Sequence, residues 1–446
     1  MVRKGSGELS LWLADQLSDQ IDFEQLKLGP SKEVGLQYMR SLTNSDTVKR
    51  YVVVPSYELK DAKAFEEYIA AFPGTVRAED RRTAMEYVLK GFAMLTFASR
   101  CYLVDAVKVE SSGIGEAMNE SIVQGPRDAF SENIETNINM VRRRYQSPTL
   151  KADMLTVGNI SRTTVAILYD DARVNRQVLR EMKKRIEAVK IDILQSSGEM
   201  EKYLTKERFR VFPTMIVTER PDRVVFNLAE GKVVVLINSN GFAIIAPTVF
   251  SDFFTAMDDK IQVPMVGWFL KITRYIGLFL TLTLPGLYIT FASYNPEILK
   301  AQISLLIAGS RAGVPYPSFM EVFLMLLMME FLTEASLRLP KAIGPTATTV
   351  GGLILGQAAT QAGLVSNIMI ILVSAVAISN FIIPLSMMGY TIRVIKYIIA
   401  VLAIAFGLVG IVISVVGLIL YLSGLRSFGQ PYMKMHVLEF RAKGDR

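Results

Sequence analysis

The sequence predicts a soluble α+β or α/β domain of two subdomains, with hairpins and flanking helices, followed by an all-α polytopic membrane domain of five or six hydrophobic segments. Three observations lead there. Charge is divided unevenly: of the 49 Lys+Arg and 42 Asp+Glu residues, 36 of each lie in residues 1–262, so the whole formal excess of +7 belongs to the apolar remainder. Uncharged stretches of twenty residues or more, enough for a helix to cross ~30 Å of hydrocarbon, occur only after residue 262. Short apolar runs broken by turn residues, the mark of β-hairpins, lie before it. The domains are accordingly 1–120, 121–262 and 263–446.

The same composition excludes several classes. A nucleic-acid binder would carry its basic surface on the charge-rich domain rather than between apolar segments. One Cys (Cys101) and one His (His436) rule out a disulfide framework and leave nothing for thiol, zinc or haem chemistry. Neither a G-x-x-x-x-G-K-[ST] phosphate loop nor a G-x-G-x-x-G fingerprint occurs, and Asp170-Asp171 sits in a polar, turn-like setting. No catalytic residue, metal or cofactor is expected. Near Met1 the longest apolar run is residues 9–14, short for a secretion signal, so the soluble half is expected to stay in the cytoplasm.

Residues 1–90 read mainly as amphipathic helices, for example 9–23 and 62–72, the latter stopped by Pro73-Gly74. Runs at 92–97 and 102–107 make a hairpin across Ser99-Arg100. In the second subdomain a helix at 222–229 leads through Glu230-Gly231 into strands 233–237 and 242–245. The phrases EYVLKGFAMLTFAS and FNLAEGKVVVLINS match weakly, which suggests related helix-hairpin units in both subdomains. Between them, 125–145 reads as one helix with Phe130, Ile134, Ile138 and Val141 in a stripe, and with Arg142-Arg143-Arg144 suiting its C-terminal dipole. A hairpin of 154–157 and 164–169, a helix at 175–189 and a strand at 212–217 follow.

The first span is 275–294, with Lys271 and Arg274 ahead of it favouring cytoplasmic entry and Pro285 expected to kink it. Residues 296–308 reach only ~20 Å as helix and read as re-entrant or interfacial, or as an amphipathic helix lying on protein; Asn295 is the expected cap and Gly309 the stop. Segment 319–339 holds eight successive apolar residues but also Glu321, Glu330, Glu334 and Arg338. Ser318 and Glu321 fit a capping box. Glu330 and Glu334 point to an aqueous path, or else Glu334 pairs with Arg338 at the interface. Residues 346–365 place Gly352, Gly356, Ala359 and Gly363 on one face, with Gln357 and Gln361 beside it, a stripe for close helix packing or a Gly-broken helix lining a site. A span at 367–390 is interrupted by Asn380 and Pro384, Arg393 and Lys396 mark a basic boundary, and 397–422 makes the last crossing.

In a symmetric oligomer, 319–338 would line a path: Phe323, Leu326 and Leu327 form an apolar constriction, and Glu330 and Glu334 form rings that attract cations.

Seven phrases resemble the A-subunit family of spore germinant receptors, the GerA-type proteins of endospore-forming bacteria. They are GPRDAFSENIETNINMVRRR (125–144), LTVGNISRTTVAILY (155–169), FPTMIVTERPDRV (212–224), AGVPYPSFMEVFLM (312–325), LRLPKAIGPT (337–346), GGLILGQAATQAGLVS (351–366) and LRSFGQPY (425–432). The resemblance implies a multi-pass protein of the spore inner membrane that works with a transporter-like B subunit and a lipoprotein C subunit. It also implies a homo-oligomeric ion channel that releases monovalent cations when nutrients trigger germination. A secondary transporter, and a membrane scaffold that organises other germination proteins, are the competing functions.

Overall fold

Alternation decides the first sheet. In Ala93–Thr96, Leu95 turns to one face and Met94 to the other, as neighbours on a strand must. The computed structural model describes residues 6–434 apart from 30–33, 60, 99, 108–114, 121, 123, 206–209 and 340–342. It forms two units, one of Met1–Arg208, Thr214–Thr248 and Ser427–Gln430, the other of Phe209–Pro213, Val249–Arg426 and Pro431–Arg446.

In the first unit, β1 (Phe23–Leu28), β2 (Val34–Met39), β3 (Val76–Ala78), β4 (Ala93–Thr96) and β5 (Cys101–Val104) make an antiparallel sheet in the order β1-β2-β4-β5-β3. Helix α1 (Ser6–Leu17) comes first, and α2 (Ser45–Val48), α3 (Val54–Glu58), α4 (Ala62–Ala71) and α5 (Arg81–Leu89) fill the connections. Asn44, Asp61 and Asp80 cap three of them through side-chain oxygens. Phe65 and Ile69 of α4 pack on the face that carries Leu36 and Leu95. Leu13, Leu17 and Val88 of α1 and α5 pack on the face of Met39 and Met94. Strands β1 and β2 correct the expectation of helix across 1–90. FEQLKL is built of helix-compatible residues, and its pairing with β2 overrides that propensity.

The second sheet repeats the first. After α6 (Ile134–Arg144) come β6 (Leu150–Val157), β7 (Thr163–Asp170), α7 (Arg176–Glu187), α8 (Ser197–Leu204), β8 (Ile216–Thr218), α9 (Pro221–Ala229), β9 (Val233–Ile237) and β10 (Ala243–Ala246). Their order, β6-β7-β9-β10-β8, is that of the first sheet counted within each half, and these pairings too are antiparallel. Equivalent glycines explain why a short phrase betrays the repeat. Gly91 and Gly231 follow α5 and α9 at φ +101° and +81°, and a β-carbon on either would overlap a backbone carbonyl, that of Leu42 or Arg173. Each carbonyl lies three residues past the second strand of its own sheet. Gly91→Ala and Gly231→Ala should therefore each cost about 1–3 kcal/mol and lower the melting temperature of the full chain. Gly198→Ala, with open space around it, should leave melting unchanged within a degree or so.

The helix expected over 125–145 is shorter. Asn133 caps Glu135 N–H and Thr136 N–H, so α6 starts at Ile134, while Phe130 N–H is taken by the Glu219 carbonyl. Arg142 of α6 is 3% exposed and joins the subdomains, donating to Asp22 Oδ1 at 2.7 Å and Gln20 Oε1 at 3.0 Å. Arg220 clasps Asp222 with both arms of its fork, at 3.0 and 2.6 Å, and also donates to the carbonyls of Glu120 and Pro126. Tyr145 donates to Asp170, and burial together with that carboxylate pushes its hydroxyl up to about 12. Residues Ser427–Gln430 complete this unit. Ser427 Oγ accepts Thr248 N–H at 3.1 Å and donates to Thr214 O at 2.6 Å, and Phe428 enters the core beneath the Arg185 guanidinium.

The long segment of the second unit runs from Val249, and its 3-10 turn Phe250–Phe254 and α10 (Asp258–Ile261) pack onto the long helix that starts at Pro264. Arg274 of that helix donates to Asp259 Oδ1 at 2.9 Å and to Phe254 O at 3.1 Å. The helical unit consists of α11 (Pro264–Ser293), α12 (Ala301–Arg311), α13 (Ser318–Arg338), α14 (Gly344–Gln361), α15 (Asn367–Phe381) and α16 (Ser386–Gly424). Among the described residues two helices, α11 and α16, are long and apolar enough to cross a membrane by length and composition, against the five or six segments expected. Helix α11 runs through Pro285. Residues 296–298 form a 3-10 turn instead of the first turn of the next helix, and α12 passes Gly309 to end at Arg311.

Arg393 and Lys396 lie inside α16, not in a loop, because the break after α15 closes again at Ser386. Helix α16 is interrupted at Gly407 (φ 58°, ψ −139°), a conformation suited to glycine. There Tyr294 Oη donates to the Ile404 carbonyl, filling a place the broken ladder leaves open. His436 and the basic residues Lys341, Arg441, Lys443 and Arg446 lie outside the described residues.

Candidate functional site

Helix α13 carries three carboxylates, and two of them, Glu321 and Glu330, turn into an apolar bundle, where a charge is costly unless paired. Glu321, 0% exposed, does not form the expected box with Ser318. Its Oε1 accepts Ser366 N–H at 2.6 Å, and its Oε2 accepts Tyr288 Oη at 3.1 Å and Arg311 Nε at 3.2 Å. Ser366 in turn caps α15 by accepting Met369 N–H at 3.2 Å. One carboxylate thus ties α11, α12, α13 and α15, and Ser318 is occupied with Ser293 Oγ. The box fails because an orphan N–H at the start of α15 outcompetes the local one.

Glu330 sits about two and a half turns further along α13. It accepts Arg393 Nε at 2.7 Å, Arg393 Nη2, and Lys396 Nζ at 2.8 Å. Two cations of α16, three residues apart on one face, therefore share a single carboxylate. Their side chains stack over neighbouring rings, Arg393 on Tyr390 at 5.6 Å and Lys396 on Tyr397 at 5.1 Å. Glu334 is exposed and pairs with Arg338 at 2.8 Å within α13, the simpler of the two arrangements the sequence allowed.

The stripe Phe323, Leu326, Leu327, Glu330 and Glu334 is divided in this chain. Phe323 packs on Tyr397 with ring centroids 6.0 Å apart, and Glu330 faces α16. Leu326 is buried with Val322, Met325 and Met369, whereas Leu327 is 45% exposed. Among the packing residues, a β-carbon on Gly352 would lie 3.3 Å from Leu332 and one on Gly356 3.7 Å from Ile370. Gly363 lies past the end of α14 at φ +68°, where it stops the helix instead of extending its face. Gln357 and Gln361 are exposed.

Among the described residues no group of three His, Cys, Asp or Glu is placed to hold a metal. The partners Tyr288, Arg311 and Ser366 were missed because they stand 33, 10 and 45 residues from Glu321 in sequence. The Glu330 cluster left one readable signal, three charges in otherwise apolar helices that must find each other.

A duplicated α/β sheet domain, continued in one chain by a helical unit with two membrane-length helices and buried acid–base clusters, defines a membrane-associated protein. A family model described as Bacillus/Clostridium GerA spore germination protein matches residues 11–443, and the chain belongs to that family. Spore germination protein B1 of Bacillus subtilis is 33% identical, covering 93% of this chain and 88% of that protein. Spore germination protein KA of Bacillus subtilis is 31% identical over 93% of this chain and 78% of its own length. The N-terminal domain of the A subunit of the Bacillus megaterium spore germinant receptor GerK3 is 24% identical with a TM-score of 0.41, over 55% of this chain and 95% of that one.

Proposed function

We propose that the chain is the A subunit of a spore germinant receptor, which assembles with copies of itself into a membrane channel that releases monovalent cations in response to nutrients. In this reading it lies in the spore inner membrane with residues 1–262 on the cytosolic side, and works with a transporter-like B subunit and a lipoprotein C subunit. One observation carries the reading. The outer surface of α16 is apolar, with Ile398, Val401, Val409, Val412 and Ile413 exposed, as lipid requires. The outer surface of α13 and α14 exposes Glu334, Gln357 and Gln361 among apolar Phe331, Leu353 and Ile354, and hydrocarbon cannot hydrogen-bond those three polar groups. That surface needs water or another copy of the chain, and a channel provides both. A secondary transporter is supported by the interruption of α16 at Gly407, since broken helices often build transport sites.

Light scattering of the detergent-solubilised chain separates the two. A ring-sized oligomer is expected, and vesicles carrying it should pass K+ in preference to Cl−. Glu334→Gln should lower that preference severalfold without changing the mass. A particle holding a single 49.7 kDa chain, with no cation flux, would overturn the channel.

A further inference from the structure

Between α1, α5 and the turn after α6 lies a groove of about 510 Å³, the size of a small-molecule site. Trp12 and Gln16 of α1 form one wall, and Arg81, Arg82, Met85 and Leu89 of α5 another. Gln146 and Pro148 close it from the second subdomain. The Arg81 guanidinium lies over the indole, 5.3 Å from its centre, so a flat apolar surface and a positive charge meet at this wall. Arg81 also meets Glu8 at 3.3 Å, but both side chains are about half in water, a pair worth ~0–1 kcal/mol that an incoming anion can displace. Glu86, the acid on the same wall, is paired with Lys90 at 2.6 Å, so its charge is offset by a third cation beside Arg81 and Arg82. The two arginines are exposed, and α5 has its own cap in Asp80, so the helix does not depend on them.

We propose that this groove binds a small planar-ring carboxylate. The ring lies against the Trp12 indole and Met85, and the carboxylate lies on the guanidinium groups of Arg81 and Arg82. A planar ring gains from stacking on the indole what a puckered ring of equal size does not, and a guanidinium fork matches a carboxylate in geometry as well as charge. The proposal concerns the first unit alone and does not depend on the channel reading.

The chain has two tryptophans, so Trp268→Phe leaves Trp12 as the sole indole reporter. The full-length Trp268→Phe protein in detergent is titrated with benzoate, cyclohexanecarboxylate and inorganic phosphate while tryptophan emission is followed. Benzoate should give a saturable change. Arg81→Gln with Arg82→Gln in the same background should weaken it at least tenfold while circular dichroism and melting stay the same. Cyclohexanecarboxylate should bind severalfold more weakly than benzoate, and phosphate should leave the emission unchanged. Quenching that climbs linearly without saturating, equal affinity in the double variant, or equal response to phosphate or to the puckered ring would each overturn the assignment.

Discussion

Glu321→Leu should remove about 3–5 kcal/mol of stability, enough to prevent the full chain from accumulating in folded form. The substitution leaves the buried Ser366 N–H and Tyr288 hydroxyl and the partly buried Arg311 guanidinium without their shared acceptor. Glu321→Gln keeps one oxygen for Ser366 N–H but puts an NH2 group where Oε2 accepted from Tyr288 and Arg311 and removes the charge opposite the guanidinium, and should cost about 1–3 kcal/mol. Glu334→Gln, which touches an exposed pair within one helix turn, should cost under about 0.5 kcal/mol. Melting of the three variants in detergent checks the ranking. A Glu321→Leu protein that melts with the parent would show that the four helices are held by packing alone.

Glu330→Gln should be the second severe change, again about 3–5 kcal/mol, because it strands two cations at once. The reverse deletion is asymmetric. Lys396→Met leaves Glu330 paired one to one with Arg393 and puts an unbranched apolar chain where a buried ammonium stood, so it should be close to neutral. Combined with Glu330→Gln it should restore part of the lost stability, giving a coupling of about 1–3 kcal/mol in a double-mutant cycle. The readouts are the melting temperature and the folded yield of all three proteins. Equal losses in the two single variants would mean that the cluster does not act as one charge group. From the sequence Glu330 reads as part of an acidic ring, for which the same substitution lowers cation flux more than protein level, or as a buried group bonded to Gln357 or Gln361, for which it costs assembly; its pairing with Arg393 and Lys396 puts the first effect on folding.

Local signals carried most of the two-sheet unit. The hairpin strands at β4–β5 and β9–β10 were legible because uninterrupted apolar runs lie beside turn residues, and Gly91 and Gly231 mark the entries to both. Strands β1 and β2 were not, since residues such as Glu24, Gln25 and Lys27 sit equally well on a helix and the deciding contact is the partner strand. Helix α6 was placed but begun too early, because its start depends on the Asn133 side chain and on a bond from Phe130 to Glu219, 89 positions away. In the helical unit the charged residues were visible and their partners were not. A heptad or capping rule sees three or four residues ahead, whereas Glu321 and Glu330 are answered 45 and 63 residues later.

The four residues Ser427–Gln430 have a consequence for how the protein is made. A ribosome releases the chain in order, and the second sheet with its flanking helices is complete through Thr248 long before Phe428 emerges. About 180 residues intervene, roughly 10–35 s of synthesis at 5–20 residues per second. During that interval the core that holds Val178, Met182 and Met215 has an empty seat, which Phe428 later fills. The first unit thus closes its core with a side chain made long after the rest of it, and a product cut short before Phe428 lacks that aromatic plug.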